Sequence, residues 1–305
     1  MNIVDFHIHF FSKVSGRNQY GPVYSDFYGR VRNAGETKAF IPPFGNETAF
    51  PLPNMRELLQ RHGVQKALLL QNPTIGIINE ETDRAVSSNR GTYYGVVQVD
   101  PFASDAAGII ETYGRKKGFF ALKLELSQTW GWLGIHNLKN FSYESLYPLI
   151  DVAQSNSLSV IIDIGDHNGQ AYSPEGLRNM AEAFADTPFV IEHLGYYTEG
   201  TPRTKWEDIV KLGKKDNVFL GISSVAQVMG EEYSCPRALG LIKNAFSVVG
   251  AHKLLWGSDA PTTLNRYTYR QMMDMIVLHA DFLSSSDKER IMGENAVELF
   301  RRVDS

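Results

Sequence analysis

The chain has 305 residues, 43% of them hydrophobic, and 30 basic against 34 acidic side chains give a net charge of −4. A core large enough to fold alone is within reach, and the charges are mixed with no basic stripe, which argues against a nucleic-acid partner. Cys235 is the only cysteine, which excludes an internal disulfide or a cysteine zinc cluster; no window reaches about 18 uncharged apolar residues and no leader pattern precedes the first strand, so a soluble cytoplasmic protein with no membrane partner is expected.

Short β-branched apolar runs alternate with longer segments of helical period along the whole chain. Strands are expected at 2–7, 65–71, 93–99, 119–125, 158–164, 188–193, 217–222 and 253–258, and helices at 54–62, 79–89, 104–116, 142–156, 174–185, 204–214, 236–248 and 266–282. Strict alternation of strand and crossover helix argues a parallel sheet. Eight such units fit a closed barrel better than an open doubly wound sheet, and no Gly-rich phosphate turn follows an early strand. The fold class expected is therefore α/β, one (β/α)8 barrel over 1–305. Ser173 before Pro174 reads as a helix N-cap. The tail, with apolar positions at 296, 297, 299 and 300, reads as a ninth helix packed on the outside of the barrel.

Two connections are too long to be simple links. The insert at 10–52 carries nine aromatic residues, from Phe10 to Phe50, among glycines and prolines, and the connection at 126–141 carries Trp130, Trp132 and His136. Both leave the carboxyl ends of strands, where barrels keep their active sites. They read equally as substrate walls or as contacts with a second copy of the chain. Trp130 and His136 are therefore candidates for touching a small-molecule substrate.

His7 and His9 lie two apart at the end of the first strand, so their side chains share a face and can converge on one ion. Asp259 ends the apolar run Leu-Leu-Trp-Gly-Ser-Asp, and a barrel sets its last strand beside its first. A carboxylate there can touch a metal and also take a proton from water. His193, at the end of strand six in Glu-His-Leu-Gly, is a candidate acid or carbonyl-polarising group. Lys123 and Glu125 share a face of strand four; Lys123 can meet a substrate carboxylate or sit in an interior ion pair.

These motifs, in this order, resemble the amidohydrolase superfamily and its branch called amidohydrolase family 2: His-x-His on strand one, His-Leu-Gly on strand six, Gly-Ser-Asp-x-Pro on strand eight and a closing Gly-Glu-Asn-Ala-x-x-Leu-Phe. The resemblance spans the chain. It implies a distorted barrel, usually with one divalent ion, in a family of metal-dependent hydrolases, lactonases, and non-hydrolytic decarboxylases and hydratases. The family's strand-five histidine is absent, and Asp163 stands in its place. The implied ligand set is His7, His9, Asp163 and Asp259, around zinc, with manganese or a metal-free site as alternatives. The expected function is hydrolysis of a small carbonyl compound such as a lactone or carboxylated ring, Asp259 and His193 being catalytic; the alternatives are a lyase on the same scaffold or an inactive barrel that serves as a binding module.

Overall fold

The computed structural model describes residues 1–304. Eight parallel strands form one sheet in the order β1 (Ile3–His9), β6 (Val64–Leu70), β7 (Tyr93–Gln98), β8 (Phe119–Glu125), β9 (Ser159–Asp163), β10 (Phe189–Ile191), β11 (Val218–Gly221), β12 (Leu254–Leu255). Each expected strand is present, although the last is only two residues long. The ring closes past β12, where the Phe6 amide donates to the Trp256 carbonyl at 3.1 Å, Asp259 to His7 at 2.7 Å and His9 to Ala260 at 2.8 Å. Both faces of such a sheet are covered, which is why the strands read as near-continuous apolar runs. Helices fill the crossovers as expected. Ser173 caps Pro174–Ala183, its hydroxyl accepting from the Gly176 amide at 3.1 Å. No helix among the described residues is long and apolar enough to cross a membrane.

Two residues hold the closing strands in register. Asp5, fully buried on the outer face of β1, accepts from the Ser258 amide at 2.8 Å, the Ser258 hydroxyl at 2.6 Å and the Tyr269 hydroxyl at 2.7 Å. Burial pushes its carboxyl pKa up against those bonds. Gly257 makes the approach sterically feasible, since a Cβ there would lie 2.5 Å from the His7 Cβ. Gly257→Ala is therefore expected to cost about 1–3 kcal/mol, as overpacked sites do, and to shift His7. A denaturant titration reads the first effect and metal content the second; a variant unchanged in both would contradict the tight fit.

The tail differs from the expectation. Asn295–Asp304 does not pack on the outside of the barrel but plugs its amino-terminal end. The Phe300 ring stacks on Tyr94 with centroids 3.9 Å apart and meets Phe6 and Phe120 edges or faces at 5.7 and 5.1 Å. An amphipathic pattern fixes which face of a helix is buried, but not which end of a barrel it covers.

The insert at 10–52 is also more than a loop. It holds an antiparallel meander, β2 (Ser15–Asn18), β3 (Gly21–Ser25), β4 (Arg30–Asn33) and β5 (Glu36–Ala39). Its first strand lies against the connection after β6, with Arg17 donating to the Pro73 carbonyl at 2.7 Å. Strands this short, with mostly exposed side chains, show little apolar alternation to betray them.

Candidate metal centre and active site

The carboxyl ends of the strands surround a cavity of about 630 Å³. Val4 and Phe6 point into the barrel's apolar interior, yet so do His7 and His9 at its mouth. Strict alternation forbids that, and the pairing of β1 with β6 shifts between Asp5 and Ile8 to permit it. The Nε2 atoms of His7 and His9 are 3.2 Å apart. Asp259 Oδ1 lies 3.3 Å from the first and 3.1 Å from the second.

Neighbouring groups set the tautomers. His9 Nδ1 donates to the Leu70 carbonyl at 3.0 Å. His7 Nδ1 donates to Glu192 Oε1 at 2.9 Å. Both Nε2 atoms are then left with lone pairs, facing a carboxylate oxygen. Three buried acceptor atoms crowded together in this way are complementary to a cation. Their spacing suits one: two ligands about 2.1 Å from a tetrahedral zinc sit roughly 3.4 Å apart. His7, His9 and Asp259 thus fit a divalent ion.

Burial alone would raise the Asp259 pKa, but the neighbouring His7, and after it His9, hold it well below the usual carboxylate range. Ser224 donates its hydroxyl to the other oxygen, Oδ2. Burial, outweighing the attraction of Asp259, lowers the pKa of His9 below 6.5.

A second group of charges faces the first. His193 Nδ1 meets the Ser223 carbonyl at 3.1 Å, and its Nε2 lies 3.4 Å from Asp163 Oδ2. Glu125 is the register partner of Asp163 on the adjacent strand. Burial, with the Asp163 charge added, pushes the Glu125 carboxyl up to about 7, against the pull of Lys123. For Asp163 the burial penalty is overcome by the hydrogen bond and charge of His193, which bring its carboxyl down to about 2. Lys123 is ion-paired with Glu192 and lies 3.5 Å from Glu125. Three residues at the mouth, His193, Ser224 and Asp259, have left-handed backbones with φ of 52°, 55° and 54°. Such conformations cost of order 1 kcal/mol or more apiece and concentrate at functional sites.

The family of proteins described as amidohydrolase matches this chain over residues 4–302. The chain belongs to that family. No curated protein sequence matches it. Among solved structures, a probable 2-pyrone-4,6-dicarboxylic acid hydrolase from Acinetobacter baumannii with citric acid bound superposes with a TM-score of 0.69 at 16% identity, covering 99% of this chain and 100% of the other. An amidohydrolase from Burkholderia multivorans with bound zinc gives 0.70 at 14% identity over 99% of each chain. A 5-carboxyvanillate decarboxylase from Novosphingobium aromaticivorans with bound manganese gives 0.55 at 14%, covering 81% of this chain and 80% of the other. At such identities these likenesses establish the fold.

His7, His9 and Asp259 come together as the sequence suggests. Asp163 does not join them; it lies with Glu125 and Glu192 in a separate carboxylate group. Trp130 lines the cavity mouth. His136 does not line it: its Nε2 pairs with Asp100 at 2.8 Å and its ring packs on Phe102. Glu192, Ser223 and Ser224 escape sequence reasoning, although Glu192 is adjacent to His193. A larger groove of about 700 Å³ at the amino-terminal end, beside Lys253 and Arg302, brings together none of the candidate metal-binding side chains.

Proposed function

We propose that the protein is a divalent-metal-dependent hydrolase of a small carbonyl compound, such as a lactone or a carboxylated ring. The observation that carries this is the meeting of His7 Nε2, His9 Nε2 and Asp259 Oδ1 within 3.3 Å of one another, with the opposite ring nitrogens already committed as donors. His7, His9 and Asp259 would hold a divalent ion, which would lower the pKa of water and polarise a carbonyl oxygen. Asp259, held ionised, accepts the proton of the attacking water and returns it to the leaving oxygen. Ser224 fixes the orientation of that carboxylate. His193, across the mouth, would turn its Nε2–H from Asp163, 3.4 Å away, to charge that develops on the carbonyl oxygen. Trp130 and Phe40 wall the cavity above them.

The test is turnover on a panel of lactones in water labelled with heavy oxygen, with metal content measured alongside. One ion per chain and label in the product acid are the expected results; metal-free protein with full activity would sink the reading. A second reading, a decarboxylase, draws on Glu125, whose carboxyl near 7 can hold a proton at neutral pH. Release of carbon dioxide from a carboxylated ring with no label in the remaining product would favour it.

Acid sensitivity follows from His9. Because burial lowers its pKa from 6.5, its neutral, ligating form persists below that pH, and protons compete for it only in more acid buffer. Dialysis across a pH series should show the ion retained at pH 6.5 and released only well below it. Release beginning above that pH would contradict the burial effect.

A further inference from the structure

Of the two acidic groups at the mouth, the second also encloses a lysine, besides the imidazoles of His193 at Asp163 and of His7 at Glu192. Glu125, Asp163 and Glu192 offer oxygens within 4.8 Å of one another, and all three side chains are buried. They end or follow neighbouring strands β8, β9 and β10, so the barrel itself fixes their spacing. Carboxylates this close in a dry environment cannot all stay ionised without a counter-charge. Lys123 supplies it. Its side chain is 2% exposed, and its Nζ is paired with Glu192 Oε2 and lies 3.5 Å from Glu125 Oε2.

Three carboxylates make the all-oxygen donor set that suits a hard divalent cation such as manganese. The tethered ammonium already supplies a cation to that set. We propose that Lys123 is this protein's built-in substitute for a second divalent ion: it fills the cation position between Glu125 and Glu192, beside Asp163, limits the centre to the ion at His7, His9 and Asp259, and conceals a second metal site that its removal opens. Glu192 links the two positions, since its other oxygen accepts from His7. The total ion count rests on the proposed function above; the difference between parent and variant does not.

The experiment compares metal content per chain in the parent, Lys123→Gln and Lys123→Arg, each equilibrated with manganese and freed of loose ions by gel filtration. Lys123→Gln should hold one manganese more than the parent, and Lys123→Arg, which keeps the charge, the same number as the parent. Adding Asp163→Asn to Lys123→Gln should abolish the extra ion. Equal content in parent and Lys123→Gln overturns the inference, as does a gain in Lys123→Arg. A parent without any ion would instead sink the proposed function, with the difference still readable. If Lys123→Gln does not fold unaided, refolding is compared in manganese and in chelator. Recovery in manganese alone supports the inference, and failure in both overturns it, because the ion then does not replace the ammonium.

Discussion

Asp259→Asn is expected to reduce turnover by about 10³-fold, within the usual range for removal of a general acid–base group, while thermal unfolding stays close to the parent's. Asparagine keeps the shape and can still accept from Ser224, but it cannot take a proton from water. The same carboxylate also faces His7 and His9 at 3.3 and 3.1 Å, so the loss could arise from weakened ion binding alone. Saturating metal separates the roles. If Asp259 is the base, the variant stays inactive with its ion restored; if activity returns, Asp259 is a ligand and the base lies elsewhere. Glu125, with its carboxyl near 7, would then be the next group to replace.

Much of this arrangement is legible in the sequence, and the parts that are not have identifiable causes. Alternating strands and helices announce the barrel because each parallel strand is buried on both faces. His7, His9 and Asp259 are readable because a closed barrel places its last strand beside its first. Glu192 is hidden by the rule that neighbours on a strand face opposite ways. The rule lapses because β10 stops at Ile191 and the chain enters a left-handed turn at His193, which lets Glu192 and His193 both line the cavity. Asp5 was an available signal, a lone carboxylate inside an apolar strand, and such a group is buried only when well bonded. His136 misleads for the opposite reason. It follows a strand end rich in aromatics, but the short helix Trp132–Ile135 turns it toward Asp100. Asp163 occupies the expected strand end, yet it faces His193 and Glu125 rather than the point where His7 and His9 meet.

The second large effect lies at the other end of the barrel. Phe300→Ala should destabilise the protein by about 3–5 kcal/mol, as expected when a buried aromatic ring is truncated in a packed core. The ring is 1% exposed and makes aromatic contacts with Phe6, Tyr94 and Phe120, residues of three different strands. The Tyr94 hydroxyl also donates to Asp304 Oδ2 at 2.8 Å, a bond that should loosen if the plug shifts. Arg301→Ala, one residue along on the exposed face, should be close to neutral and controls for helix propensity. The proposed catalytic groups stand at the opposite mouth, so kcat/KM of the folded Phe300→Ala fraction should match the parent's. Urea unfolding and steady-state kinetics on the two variants decide the matter. A stability loss below about 1 kcal/mol, the level of an ordinary surface change, would mean that the strands seal their own floor and the tail only leans against it.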